Sequence, residues 1–408
     1  MRIAISTQTY DLVTNGQGVF AVHLAEGLAK SGHDVMVIKP SERKDAYQEV
    51  SNGVLVCGVQ AASIIPFHPE VKVTLFPGQA VDRLLGEFYP EVVHIQDYYP
   101  LCRAAAAHAQ QRGIPLLGTN HFLPDNILLN VPLFELFPAL TSRILWGLVL
   151  NVYNHLDVVT SPTETAAKIL KRQGLIPPVK AISCGVNADR FSPDPQVDAS
   201  ELRIRYHLDP EKIVFLYVGR IDGEKCLDVL IRGLALSRRK DLQLAFAGHG
   251  ADIHILQNLA EDLGVGEQVV FTGYLPEEDH PALLNSVDFF AMPSVAELQS
   301  LSTLEAMSTG LPVLADSARA LPELVHHKVN GYLFKPDDPE DAARGMIWLV
   351  ENMDRWHVMS AASLEIAGPH RLENTVQQYE ALYEDLILES HTEGNPISEK
   401  KRAQRKEG

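Results

Sequence analysis

At 408 residues, 46% hydrophobic and 21% charged, the chain has room for two or three cored globular domains, which excludes wholesale disorder. Its 35 Lys and Arg against 52 Asp and Glu leave a net charge of −17, the wrong sign for a general nucleic-acid binder or for a surface drawn to anionic lipid by bulk charge. Four scattered cysteines (Cys57, Cys102, Cys184, Cys226) with no Cys-x-x-Cys pair argue against a disulfide framework or a structural zinc, and fit a reducing, cytoplasmic setting.

Taken in chain order, Arg2–Ser6 is expected to be a strand, Gly18–Lys30 a helix and Asp34–Ile38 a strand ended by Pro40. The N-terminus lacks the layout of a secretory leader, and no apolar run approaches the ~18 residues of a membrane span. Val92–Ile95, Pro115–Thr119 and Val158–Ser161 are strand-like, with helix-like Leu101–Arg112 and Glu164–Arg172 among them. Cys184–Pro195 is turn-rich and breaks the rhythm, which then restarts with strand Ile213–Val218, helix Leu227–Leu236 and strands Leu242–Ala247, Val269–Phe271, Phe289–Met292 and Val313–Ala315. This alternation predicts an α/β protein of two Rossmann-like units, residues 1–185 and 186–370, facing across a ligand-binding cleft. A last helix, Glu373–Glu389, lies in a segment 371–390 expected to return to the first unit; 391–408 is read as a disordered tail whose Lys400–Lys406 holds five basic residues.

Three stretches carry chemistry. Thr14-Asn-Gly16-Gln-Gly18-Val19 joins the first strand to its helix, where glycines let backbone approach a ligand and a helix N-terminus favours anions. Tyr217-Val-Gly219-Arg220-Ile-Asp-Gly-Glu-Lys225 places two cations at a strand end suited to a diphosphate, Arg220 as a planar fork and Lys225 as a point charge. Glu297-Leu-Gln-Ser300-Leu301-Ser302-Thr-Leu-Glu305 follows a strand and opens a short helix ended by Gly310; backbone N–H groups at Ser300, Leu301 and Ser302 would meet a phosphate, and Glu297 and Glu305 can address different ends of one extended ligand. In the first unit His121, within Asn120-His-Phe-Leu-Pro-Asp125, follows a strand at the cleft edge; His94 and Gln96 are weaker candidates at the same edge.

Together with Ile182–Phe191, Phe271-Thr-Gly273-Tyr274-Leu275 and Tyr379–Tyr383, these residues resemble the retaining glycosyltransferases of family 4, which have the GT-B fold. The resemblance implies that Arg220 and Lys225 hold the diphosphate of a nucleotide sugar, that Glu297 sits at the sugar, that His121 contacts the donor sugar or the acceptor, and that Glu305 binds the ribose. It further implies that Gly16, Gly18 and Gly219 approach the phosphates, that Gly273–Leu275 lie near the base, and that no metal is required. Two departures stand out: Gly-Gln-Gly replaces adjacent glycines in the first loop, and Gln299 stands where many relatives have an aromatic. Glu-x-Gln, with Asn-His-Phe-Leu-Pro, is similar to the branch that glycosylates diacylglycerol and related lipids.

The reading that follows is a retaining hexosyltransferase moving glucose or another hexose from a nucleotide sugar, UDP-linked by the resemblance, to diacylglycerol or a glycolipid, peripheral on the inner membrane face through the apolar segment Ile127–Leu150. The alternatives are a soluble transferase with a sugar or small-molecule acceptor, such as a mannosyltransferase, a sugar-nucleotide epimerase on the same fold, and a binding module with a dead site. The same apolar segment also reads as an ordinary core helix, Ser142–Tyr153, with its preceding loop.

Overall fold

The computed structural model describes residues 1–11, 15–63, 72–123 and 138–391. Thr14, the end of the Asn120–Asp125 motif, the first part of the apolar segment up to residue 137 and the basic tail lie outside the described residues.

Two sheets organise these residues. The first has eight strands in the order Val179–Ala181, Val158–Ser161, Leu116–Thr119, Val92–Ile95, Arg2–Ser6, Asp34–Pro40, Val54–Val59 and Tyr47–Ser51. The second has six, in the order Val269–Gly273, Leu242–Ala247, Ile213–Val218, Phe289–Met292, Val313–Asp316 and Gly331–Phe334. Within these two sheets pairing is parallel except for Tyr47–Ser51, which returns on Val54–Val59 through Asn52 and Gly53 at φ 48° and 81°; a separate antiparallel pair joins Ala62–Ser63 to Lys72–Val73. Two central turn residues with positive φ suit the right-handed strand twist, and Asn-Gly is the favoured pair there. The central strands are buried on both faces, because helices cover both sides of a parallel sheet; Leu242–Ala247 is buried at every residue.

The helices largely follow the periodicity. The first begins at Gly16 rather than Gly18, because the Asn15 side chain accepts the Gly18 N–H and caps it. Gly16 and Gly18 therefore lie in a helical first turn rather than in a loop. Between Pro40 and Val92, the hairpin and the helix Gly78–Phe88 add elements to the first domain.

Each sheet reverses its strand order once among these core strands, between Arg2–Ser6 and Val92–Ile95 in the first and between Ile213–Val218 and Phe289–Met292 in the second. Ligands of open α/β sheets bind at the carboxyl ends of strands beside such a reversal.

The chain crosses between domains twice at one place. Val186 N–H donates to His370 O at 2.8 Å and Leu372 N–H to Val186 O at 2.9 Å. Gly185, at φ 80°, makes this crossing possible: a Cβ there would lie 2.9 Å from Leu372 Cα. The helix Leu372–His391 then lies on the first domain, with Val376, Tyr379, Leu382, Tyr383 and Leu386 packed among Ile3, Ile5, Phe20, Leu24 and Leu117. Gly27 lets it come close, since a Cβ there would meet Val376 Cγ2 at 2.5 Å. Among the described residues, no helix is long and apolar enough to cross a membrane.

Candidate active site

The second sheet's reversal brings together the two motifs that lie about seventy residues apart. Lys225, in the turn after Ile213–Val218, donates from Nζ to Glu297 Oε1 at 2.7 Å and lies 3.5 Å from Glu224 Oε1. All three side chains are mostly buried, at 17%, 12% and 2% exposure for Lys225, Glu297 and Glu224. Burial pulls the Lys225 pKa down, but the two carboxylates outweigh it and the net shift is upward, so the ammonium stays charged. Arg220 is half exposed and is held by Asp222 and Glu224, each at 2.5 Å. Glu224 thus braces both cations from beneath, a role the sequence hinted at only by its position between them.

The backbone around these cations is packed tightly. Tyr217 donates its hydroxyl proton to Arg220 O at 2.6 Å, and Gly248 N–H donates to Gly273 O at 2.9 Å. A Cβ on Gly248, at φ 147°, would lie 1.9 Å from Gly219 O, so two neighbouring strand ends touch through glycine. Gly219 itself has φ 152°. Gly273 stands at φ 75°, Tyr274 is exposed and Leu275 packs partly into the second core. Tyr274 and His249 present parallel rings, 6.2 Å between centroids and 6° apart in plane.

Ser300 caps the helix Leu301–Ser308, accepting the Thr303 N–H. The first turn of that helix faces the first turn of the Gly16–Lys30 helix across the cleft: Leu301 Cδ1 would lie 3.5 Å from a Cβ on Gly16. Ser302 is beside it, with its hydroxyl 3.5 Å from that of Ser300. Glu305, 16% exposed, lies one turn further along, and its Oε2 is 3.8 Å from His280 Nε2. Burial pushes the Glu305 pKa up to about 7, with Arg190 opposing and Glu277 adding. Burial, helped by Arg190, takes His280 down to about 4, so the contact is not an ion pair at neutral pH. His280 carried no motif; only the fold brings it to Glu305.

In the first domain, His121 Nε2 lies 3.0 Å from Gln96 Oε1, its ring against Phe20 at 4.9 Å between centroids. Burial lowers its pKa to about 3, so the imidazole is neutral. His94 is a core residue, not a cleft residue: it is fully buried, 2.8 Å from Tyr383 Oη and 2.7 Å from Thr119 Oγ1. Asp97, also buried, accepts from the Gln8 and Tyr99 N–H groups and from Gln17 Nε2, and so ties the loop after the first strand to the sheet.

Gln299 faces the domain junction. Its Oε1 accepts the Cys184 N–H at 2.7 Å and its Nε2 donates to Ser183 Oγ at 3.0 Å. On either side of it, Leu298 belongs to a first-domain core cluster and Leu301 packs on another. Thr163 Oγ1 donates to Leu298 O at 2.8 Å, and the Glu323 carboxylate accepts the Glu164 and Thr165 N–H groups at the start of the helix Glu164–Arg172.

Two Rossmann-like domains facing across a cleft, with cations, acids and helix N-termini gathered at its rim, define a GT-B-type enzyme. Residues 14–190 match the family described as Glycosyltransferase Family 4, and residues 198–366 match Glycosyl transferases group 1. The chain is thus a nucleotide-sugar-dependent glycosyltransferase related to family 4. It is similar to the GDP-mannose-dependent alpha-mannosyltransferase of Corynebacterium glutamicum, 26% identical over 95% of this chain and 89% of that one. Sulfoquinovosyl transferase SQD2 of Arabidopsis thaliana is 26% identical over 83% of this chain, which spans 64% of that protein's length. Among solved structures, the sucrose-phosphate synthase of Thermosynechococcus elongatus superposes with a TM-score of 0.80 at 20% identity, covering 95% of this chain and 100% of that one.

Proposed function

We propose that the protein is a retaining mannosyltransferase that moves the sugar of GDP-mannose to a hydroxyl acceptor. The observation that carries the transfer chemistry is the Lys225–Glu297 contact at the sheet reversal, with Arg220 beside it. Two cations held on an internal carboxylate are preorganised for a diphosphate and need no rearrangement as charge builds on the leaving group. Glu297 would orient sugar hydroxyls and face the positive charge at the anomeric carbon. Glu305 would accept from the ribose hydroxyls, and His121 would sit at the sugar. The helix first turns at Gly16–Gly18 and Ser300–Ser302 would offer N–H groups to the phosphates, and Gly273–Leu275 would border the base, Gly219 giving close approach.

The anomeric C–O bond to the diphosphate breaks, the acceptor oxygen bonds the same face, and the acceptor proton passes to the departing phosphate oxygen. Mannose is preferred over glucose because the similar Corynebacterium glutamicum enzyme uses GDP-mannose and aligns over nearly all of both chains. Gln299 no longer favours diacylglycerol as acceptor, since it binds the junction at Ser183 and Cys184.

Purified protein would be offered GDP-mannose and UDP-glucose with a panel of sugar and polyol acceptors, and released nucleotide measured. GDP release that needs both acceptor and Glu297 supports the proposal; turnover from UDP-glucose alone overturns the donor assignment. A second reading, a lipid acceptor, is favoured by one feature. The helix Pro138–Tyr153 exposes Leu140, Ile144 and Leu148, a stripe at helical spacing. Vesicle flotation lost on Ile144→Glu would support that reading, and no flotation of the wild type would sink it.

A further inference from the structure

We propose that Gln96 is a positioning residue that sets the tautomer of His121, and that Tyr383 of the last helix reaches it through His94. The inference rests on the reading of the cleft as a transferase site. Four side chains form a continuous line: Tyr383 Oη to His94 Nδ1 at 2.8 Å, His94 Nε2 to Gln96 Nε2 at 3.3 Å, and Gln96 Oε1 to His121 Nε2 at 3.0 Å. His94, Gln96 and Tyr383 are essentially without solvent exposure, at 0%, 1% and 0%. Water therefore cannot substitute for a missing partner, and each proton must be placed by the line itself.

The amide imposes the direction. Its oxygen only accepts, so His121 must carry its proton on Nε2. Its nitrogen only donates, so His94 Nε2 must be bare, accepting from Gln96 and from Thr119 Oγ1 at 2.7 Å. The His94 proton is then on Nδ1 and points to Tyr383. The two histidines hold opposite tautomers, and Tyr379, stacked on the His94 ring at 5.5 Å, keeps that ring in register. His121 is left with Nδ1 as a lone-pair acceptor that has no hydrogen-bond partner among the described residues. A neutral acceptor held at a fixed angle takes a hydrogen bond from a ligand hydroxyl and rejects a group that can only accept. The last helix, which connects the two domains, thereby sets what the cleft histidine can recognise.

The test is long-range 1H–15N spectroscopy of the histidine rings in the full chain, assigned with His94→Gln and His121→Gln, with steady-state kinetics alongside. The expected wild-type spectrum shows His121 protonated at Nε2 and His94 at Nδ1. Gln96→Leu should turn His121 into a tautomer mixture and lower kcat about tenfold, the loss of roughly one hydrogen bond, with donor KM changed less than about twofold. Gln96→Glu, which still accepts but cannot donate, should keep the His121 proton on Nε2. Tyr383→Phe should disturb both rings. Like tautomers at His94 and His121, or a Gln96→Leu spectrum identical at His121 to the wild type, would overturn the proposal; if Gln96→Leu does not fold, Gln96→Glu and the wild-type spectrum decide. The spectrum needs no substrate, so a wild type that transfers no sugar would count against the proposed function while leaving the tautomers as measured.

Discussion

Lys225 and Glu297 meet at 2.7 Å although they leave different strands, Ile213–Val218 and Phe289–Met292, that are neighbours only because the sheet reverses between them. A buried pair of this kind is costly to break, since removing one member strands the other. Lys225→Ala and Glu297→Ala should each lower kcat by about 10²–10³-fold, as loss of a preorganised charge does. The double variant should be little worse than either single one, because the two act as a unit. Initial rates across the cycle check this; additive losses would mean independent roles.

In the proposed ribose-binding role, Glu305 should link donor binding to pH. Burial raises its pKa to about 7, so the folded protein keeps a proton that the unfolded chain loses nearer 4.5. The stability this contributes is whole below the unfolded value and is lost as pH rises through about 7. Donor affinity should move the other way, strengthening as the carboxylate ionises and accepts ribose hydroxyls. His280 does not titrate in this window, since burial holds it near 4. Calorimetric donor binding and Tm at pH 6 and pH 8 are expected to show opposite trends in the wild type; Glu305→Gln should flatten the binding trend and lessen the fall in Tm, part of which stays because burial also raises Asp316 to about 7.

The domain junction should govern closure. Glu323 accepts two N–H groups at the start of the helix Glu164–Arg172, at 3.2 and 2.7 Å, and so adds a carboxylate to a positive helix end. Glu323→Ala is expected to weaken this contact between the domains by about 1 kcal/mol, raising donor KM several-fold and enlarging the radius of gyration in solution scattering. Glu323→Gln, which still accepts, should fall between. An unchanged scattering profile in Glu323→Ala would mean that this contact does not hold the domains together.

Gly248→Ala tests the contact between strand ends. The added Cβ would fall 1.9 Å from Gly219 O at φ 147°, where side chains rarely sit, so backbone must shift. A loss of about 2–3 kcal/mol in denaturant unfolding is expected, together with weakened donor binding because Gly219 moves.

Much of the fold is legible in the chain itself. The β-branched runs and the turn-rich break at Cys184 mark strands and the linker without reference to anything distant; the Asn15 cap is as local, but the expected start at Gly18 passes over it and the helix begins at Gly16. Asn52-Gly53, which the expected elements leave out, is also a local signal and marks the hairpin of the first domain. The motif spacings at Gly219–Lys225 and Glu297–Glu305 named the candidate site, because each lies in a single turn or helix whose local geometry follows from its own residues.

Pairwise meetings between distant segments were not legible. Whether His94 faces ligand or core depended on Tyr383, which is 289 residues away, and burial turned it into a structural partner. Gln299 stands out in the sequence only as a departure from the aromatic of many relatives; the fold shows it bonded to the linker residues Ser183 and Cys184. His280 gained significance only beside Glu305. By itself, then, the sequence determined the two α/β units, their motifs and the chemistry they offer, since periodicity and turn residues act over a few positions. Tertiary structure alone decided which of those groups are paired, buried or neutral, since dielectric and hydrogen-bond partners belong to a place in space rather than to a position along the chain.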